Sequence, residues 1–409
     1  MQWSAADIPC LAICAASLLV ALASRADAAT LLSANGVTVD SEFPGGNGFV
    51  ERIEGDTVFV RQDVRDTRGD WFWWHFRVRG AAGRSLAFHF TKSNVVGVRG
   101  PAVSTDRGVT WAWLGKKAVR GASFRYTFAA DAKDVQFCFA IPYFSRDLTR
   151  FLREFKGNPH LRKKLLCTTR KGRRSERLHV GCLDAEPDHR VLITARHHCC
   201  ECMASYTVEG IIEAVLANTP DGKWLRKHVE FLIVPFADKD GVEDGDQGKN
   251  RKPRDHARDY AGKSIYPATK AIRELVPTWS AGRLRAAFDI HCPHIRGRTN
   301  ELIYIVGLGG DGVWEQQTRF ARLLEAACTG PLPYRASHNM PFGKSWNTAA
   351  NYRQGKTILM WASQLPGVKL LAPFEIPYAN AGGKRVTAAS ARDFGHDVAK
   401  ALRQYLEER

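Results

Sequence analysis

The stretch Arg190-Val191-Leu192-Ile193-Thr194-Ala195-Arg196-His197-His198-Cys199-Cys200-Glu201 decides the reading of the fold. Its first half is a short apolar run of the kind that forms a buried strand. Its second half turns into a helical pattern with Ser205 in the first turn. The same alternation continues downstream. Apolar runs at 229–235, 284–290 and 302–306 are separated by helical patterns at 205–216, 268–275 and 312–327, and an amphipathic tail at 388–407 closes the chain. Continuous apolar runs, rather than alternating ones, mean strands covered on both faces, so the expectation over 146–409 is an α/β domain with a mostly buried sheet.

Upstream the pattern changes. From about 29 to 145 the chain has short alternating or aromatic runs cut by Gly, Asp and Pro, as at 57–61, 71–78, 85–90 and 124–128, which predicts an all-β sandwich. The Trp71-Phe72-Trp73-Trp74 cluster could stack on sugar rings, but packing between two sheets is the favoured reading because aromatics dominate cores. Between the two units a helix is expected over 148–166, followed by a basic segment, 163–177, read as a solvated loop. No aromatics are interleaved with its charges, which argues against nucleic acid as a partner.

The chemistry-bearing residues lie at strand ends. His198 and Glu201, three apart across a sharp turn, can bring an imidazole nitrogen and a carboxylate to one divalent ion, and zinc accepts such N/O ligands. Alone, His-x-x-Glu is a weak motif; its place at the carboxyl edge of an open sheet, where ligands bind, strengthens it. The run Ala286 to His291 ends at the same edge and offers His291 as third ligand, with Asp289 two residues earlier able to orient it. A further apolar run, 370–378, carries one carboxylate, Glu375. Glu is rarely buried without a partner or a task, so Glu375 is the candidate general base.

In these motifs and their order the chain resembles the zinc metallocarboxypeptidases, and most of all the branch of cytosolic carboxypeptidases and their bacterial relatives. An Ala-Arg-x-His-x-x-Glu stretch matches Ala195 to Glu201, and an Asp-x-His strand end matches Asp289 to His291. Asp240-Gly241-Val242-Glu243-Asp244-Gly245 resembles the family's Asp-Gly-Val-x-x-Gly. Asp255-His256-Ala257-Arg258-Asp259-Tyr260 stands where the family has Asp-x-Asn-Arg-x-aromatic. The resemblance spans about 30–400. It implies an α/β/α carboxypeptidase domain with a mixed sheet, preceded by the sandwich, and Zn2+ held by His198, Glu201 and His291, with Glu375 activating water. It further implies Arg258 as the guanidinium that grips a substrate's terminal carboxylate. The family's Asn partner is replaced by Ala257. An ungapped match puts Gly248 where relatives carry a second Arg that stabilises the oxyanion, which leaves Arg251 as the substitute the resemblance implies. Tyr352 is the candidate for the family's mobile Tyr by its spacing to Glu375.

The implied activity is removal of C-terminal residues from peptides or proteins. Two rivals use the same residues: an amidohydrolase of this fold acting on acyl or cell-wall isopeptide bonds, and an inactive peptide-binding module, which only Ala257 encourages. Lys+Arg 59 against Asp+Glu 42 gives a net charge of +17. With Lys249, Arg251, Lys252, Arg254 and Arg258 clustered beside the expected site, that charge points to acidic C-termini as partners. The first 28 residues, with an apolar stretch from Ile8 to Ala23 and the small-residue Ala26-Asp27-Ala28, read as a signal peptide, so the expected location is periplasmic or extracellular. No transmembrane segment is expected in the mature chain, because no apolar run of about 20 follows. Cys199-x-x-Cys202 lacks a second Cys-x-x-Cys to complete four ligands and is not read as a structural zinc site.

Overall fold

A computed structural model describes residues 29–408, so the signal-peptide reading of 1–28 lies outside the described residues. The sandwich consists of two sheets. One has the order Leu31–Ala34, Val37–Asp40, His75–Arg79, Asp134–Cys138, Ala102–Ser104, Ala112–Trp113. The other runs Phe49–Glu54, Thr57–Arg61, Ser85–Phe90, Ser123–Thr127, Val119–Arg120. Alternation dictates the filling. In Ser85–Phe90 the residues Leu86, Phe88 and Phe90 point inward and the others outward. Phe88 and Phe124 stack at 4.8 Å, and Trp74 stacks on Phe124 at 5.9 Å. Each such pair contributes about 1 kcal/mol beyond its buried area. Phe72, Trp73 and Trp74 are buried, in keeping with core packing.

The α/β half is built on a seven-stranded mixed sheet with the order Leu161–Thr168, Arg174–Gly181, Val229–Val234, His189–Ala195, Leu284–His291, Leu370–Glu375, Tyr304–Ile305. Its four central strands are parallel, and the flanking pairs are antiparallel. Both faces are covered. Val191, Ile193, Phe288 and Phe374 face the helices Cys202–Leu216, Asp311–Ala327 and Ala388–Glu407 and join a core continuous with the sandwich. Leu192, Leu232, Ala287 and Leu371 face the opposite way, onto Pro267–Ser280 and Ile358–Ala362. Two of the covering helices cross closely enough to require glycine. A Cβ on Gly210 would lie 2.0 Å from the Arg392 carbonyl oxygen, and one on Gly395 would lie 2.3 Å from that of Thr207.

His189–Ala195 is the switch point of this sheet. The next strand, Val229–Val234, lies on one side of it and the following one, Leu284–His291, on the other. Connections therefore leave in opposite directions and open a crevice at the carboxyl ends of these strands.

Two local expectations are corrected. The helix stops at Arg153, because Gly157 adopts a φ of 83° and Asn158 precedes Pro159. The basic segment is a hairpin, Leu161–Thr168 paired with Arg174–Gly181 around Gly172, and not a solvated loop. Its charges are partly engaged: Arg173 reaches Asp240 at 2.9 Å and Asp244 at 2.6 Å. Exposed Lys163 and Lys164 lie on the outermost strand, where charge discourages edge-to-edge pairing. Among the described residues no helix is long and apolar enough to cross a membrane.

Candidate metal centre and active site

The crevice at the switch point gathers the strand-end residues. After Ala195 the chain reverses at Arg196, a buried residue at φ 61°. Its guanidinium stabilises the turn by donating to the carbonyl of Cys199 at 2.9 Å, that of Tyr143 at 3.0 Å and the Ser205 hydroxyl at 3.0 Å. The turn delivers His198 and Glu201, and the adjacent parallel strand ends at His291. The Nδ1 of His198 lies 2.9 Å from one Glu201 oxygen, and the Nδ1 of His291 lies 2.7 Å from the other. One ligand atom from each of the three residues falls within 4.8 Å of the others.

The far nitrogens are also held. His198 Nε2 meets Asp255 at 3.2 Å and His291 Nε2 meets Asp289 at 2.8 Å, so both rings turn Nδ1 toward the common centre. Burial would raise the Asp255 and Asp289 carboxyls, but His198 for the first, and His197 with His291 for the second, hold them well below the usual range. Glu201 is likewise held low, because His198, Lys249 and His291 outweigh its burial. Asp289 has further partners: the Thr194 hydroxyl donates to it at 2.8 Å, and His197 Nδ1 lies at 2.8 Å. His197 Nε2 in turn meets the Tyr260 hydroxyl at 2.8 Å. A second grouping, His197, Asp289 and His291, satisfies the same distance test. Its His197 does not line the cavity, whereas His198 and His291 of the first grouping both do. Two imidazoles and a carboxylate with oriented outer partners fit zinc.

Glu375 ends Leu370–Glu375 directly opposite His291 in the parallel register. Among the described residues its Oε2 is buried without a hydrogen-bond partner. Burial pushes its carboxyl up to about 7, against the opposing pull of Lys249 and His291. A carboxylate poised near neutrality beside a metal centre is suited to exchange protons with water.

These groups open on a cavity of about 340 Å³, lined also by Lys249, Arg258, Tyr352 and Trp71 and, farther from the ligands, by Val306, Leu308, Trp346 and Leu359. Arg258 donates to the Asn351 carbonyl at 3.2 Å and lies 5.1 Å from the Tyr352 ring centre. The Tyr352 hydroxyl donates to Asn347 at 2.7 Å. Arg251 is placed elsewhere. It is locked to Asp238 at 2.6 Å and Asp246 at 2.9 Å, with Asp66 at 3.5 Å, and does not line the cavity. The expectation that it faces a substrate is corrected by those three carboxylates. Arg254 pairs with Asp259 at 2.7 Å, so of the basic cluster only Lys249 and Arg258 line the cavity. Cys199 donates to the Asp246 carbonyl at 3.0 Å and is buried, as is Cys202.

The sequence reading placed Lys249 in a basic cluster and Trp71 in an aromatic one without assigning either to the cavity wall, and it gave His197 no role. Lys249 had one available signal, its place directly after Gly248. Trp71 and His197 had none, since their roles depend on packing across the chain.

Residues 148–273 match the zinc carboxypeptidase family model, Peptidase_M14. Cytosolic carboxypeptidase 6 of Caenorhabditis elegans is 25% identical over 279 residues, covering 60% of this chain and 60% of that protein. Cytosolic carboxypeptidase 2 of Danio rerio is 25% identical over 178 residues, 41% of this chain and 25% of that one. The chain thus spans three fifths or less of these curated relatives. Among solved structures, a metallo-carboxypeptidase from Burkholderia cenocepacia superimposes with a TM-score of 0.75 at 20% identity, over 91% of this chain and 99% of that one. Over 148–273 the chain is thus similar to the zinc carboxypeptidases, a class of peptide hydrolases, and its fold is that of the solved metallo-carboxypeptidase. Within that class the chain is similar to the cytosolic carboxypeptidases and to bacterial metallocarboxypeptidases.

Proposed function

We propose that this protein is a zinc-dependent carboxypeptidase that hydrolyses the last peptide bond of peptide or protein chains. The observation that carries the reading is the convergence of His198, Glu201 and His291 beside a buried, unpartnered Glu375 oxygen. In this reading Zn2+, held by those three residues, supplies Lewis acidity and lowers the pKa of water. Glu375 takes the proton of the attacking water on its free oxygen. As the C–N bond breaks it returns that proton to the leaving amine. Arg258 binds the terminal carboxylate, and its distance from the ligand set is what confines cleavage to the last residue. Tyr352, against Arg258, closes that end of the cavity. Ala257 is buried and offers no side-chain donor, so Arg258 binds the carboxylate without the amide partner of the relatives.

The finer expectation, a preference for acidic C-termini, has the net charge and the cavity-lining Lys249 and Arg258 in its favour. The wall also includes Val306, Leu308 and Leu359, which offer no charge to an acidic side chain. Export through residues 1–28 belongs to the same proposal, and N-terminal sequencing of the mature protein tests it. Metal analysis combined with turnover on peptides that differ only in the last residue tests the rest. One zinc per chain and release of single C-terminal residues are expected. A zinc-free protein, or cleavage confined to acyl or internal isopeptide bonds, would remove the carboxypeptidase reading.

A further inference from the structure

The run Trp71-Phe72-Trp73-Trp74 leads into the strand His75–Arg79, and its residues differ in what they do. Three serve packing. Phe72, Trp73 and Trp74 are buried, and the indole N–H groups of Trp73 and Trp74 donate to the carbonyls of Gly45 at 3.2 Å and Val95 at 2.9 Å. Trp71 departs from them on both counts. It is only half-buried and lines the cavity, and among the described residues its indole N–H has no acceptor. A tryptophan that packs in a core satisfies that donor, so Trp71 has apolar area and a hydrogen bond still to offer.

Its neighbours fix where it stands. The Trp71 carbonyl accepts from the buried Gln62 side chain at 3.0 Å, and the Arg68 N–H, three residues earlier, donates to the Asn250 carbonyl at 3.3 Å. The indole lies 6.2 Å from the His294 ring and 5.6 Å from the Lys249 ammonium. His294 follows His291 by three residues, and Lys249 is 2.7 Å from Glu201, so Trp71 borders the candidate ligand set from the sandwich. Arg258 and Tyr352 contact each other and are not among these neighbours. A peptide whose terminal carboxylate is held by Arg258 and whose last bond lies at His198, Glu201 and His291 continues away from Arg258. Trp71 and His294 belong to the wall on that side.

We propose that Trp71 binds the substrate residue on the amino side of the scissile bond, and that an aromatic side chain is favoured there. This inference rests on the carboxypeptidase reading of the site. Phe72 meets Trp71 edge-on at 5.7 Å and His294 edge-on at 5.1 Å, so the three rings form an aromatic corner that a further ring extends. The free indole N–H is a donor for a backbone carbonyl, which every peptide substrate carries on this side of the bond. Because the backbone of Trp71 is already tied to Gln62, little freedom is lost when substrate arrives. The sandwich thereby contributes a contact with substrate as well as support for the loop.

The test uses the zinc-loaded full-length chain and two N-acyl dipeptides that share one C-terminal residue and carry Phe or Gly before it. Wild type is expected to cleave the Phe substrate with a kcat/KM about 10-fold above that for the Gly substrate. In Trp71→Ala that ratio should fall to about two-fold or less, chiefly through KM, with zinc still bound. Trp71→Phe, which keeps a ring, should hold the ratio above about five-fold. A Trp71→Ala enzyme with the wild-type ratio overturns the proposal, because a ring that only supports the fold would slow both substrates alike. So does a Trp71→Phe enzyme whose ratio drops as far as that of Trp71→Ala. Should Trp71→Ala fail to fold, Trp71→Leu takes its place with the same ratio expected, and an unchanged ratio again overturns the proposal. A wild type that releases no C-terminal residue removes the carboxypeptidase reading together with this one, whereas an active wild type that cleaves the Phe and Gly substrates equally well removes only this one.

Discussion

Two regions feed the same cavity by different means. The ends of His189–Ala195, Leu284–His291 and Leu370–Glu375 bring His198, Glu201, His291 and Glu375 together through the ladder itself: Ala195 pairs with Ile290, and His291 with Glu375. Adjacent strands lie about 4.8 Å apart, so residues at matched register fall within reach of one ion without further adjustment. The segment 245–258, which supplies Lys249 and Arg258, is irregular, and its shape is imposed from outside. Asp66 accepts the N–H groups of Gln247 at 3.0 Å and Gly248 at 2.9 Å, and Asn47 donates to the Gly245 carbonyl at 2.8 Å. The Gln247 side chain donates to the carbonyls of Asp63 and Trp73, both at 2.8 Å, and accepts the Trp73 N–H at 2.6 Å. Every one of those partners belongs to the sandwich. The comparison teaches that the candidate metal ligands are placed by the sheet, while the cations around them depend on the β-rich half of the chain.

Changes at the strand ends should have the largest effects. His198→Ala leaves two ligands, too few for tight zinc binding, so metal analysis should find zinc lost and turnover should fall below detection. Because the turn is held by Arg196 and not by His198, the circular dichroism spectrum should stay near wild type. Full zinc occupancy in that variant would break the assignment of the strand ends.

Glu375→Gln comes next. It preserves shape but cannot accept a proton, so zinc should remain while the single-turnover rate drops at least about 10²-fold. A rate within a few-fold of wild type would place the base elsewhere.

Outer partners should cost less. His197→Ala removes one of the groups that orient Asp289 and through it His291. Zinc affinity measured by chelator competition should weaken by about 10-fold or more, and an unchanged affinity would mean that Thr194 alone holds Asp289. On the other region, Asp66→Ala strips the acceptor from two loop N–H groups. It should lower stability by about 1–3 kcal/mol in urea unfolding and reduce kcat while zinc stays bound. Loss of zinc instead would erase the distinction between the two regions.

The smallest effect concerns pH and lies behind the site, on the helix Cys202–Leu216. Burial pushes the Glu209 carboxyl up to about 7, against the pull of Arg392 at 2.7 Å and of the Tyr143 hydroxyl at 2.7 Å. The folded protein therefore keeps a proton that the unfolded chain loses above about 4.5. This contribution is fully present below the unfolded value and is lost as pH rises through about 7, a decline of about 1–2 kcal/mol after allowance for relaxation. Glu209→Gln should flatten that part of the stability profile in denaturation measured from pH 5 to 8.

The strand ends were legible in the sequence because their signals are local. Apolar runs end in His or Glu, a turn spaces His198 from Glu201, and the order of these motifs repeats a known pattern. The hairpin at 161–181 was not legible, since a basic segment with a helix-compatible start takes its strand pairing from a distant edge, Val229–Val234. Nor were Trp71, which reaches the cavity from the sandwich, or the contrast between Lys249 and Arg251. Both cations lie within four residues of Gly248, and nothing in their own neighbourhood distinguishes them. Sequence by itself determined the two kinds of layer and pointed to His198, Glu201, His291 and Glu375 at one edge of the sheet, because period and spacing act over a few residues. Only the tertiary structure decided which cation faces the cavity, because Asp66 from the sandwich and Asp238 from the end of a neighbouring strand join the nearby Asp246 in binding Arg251 and leave Lys249 to the cavity.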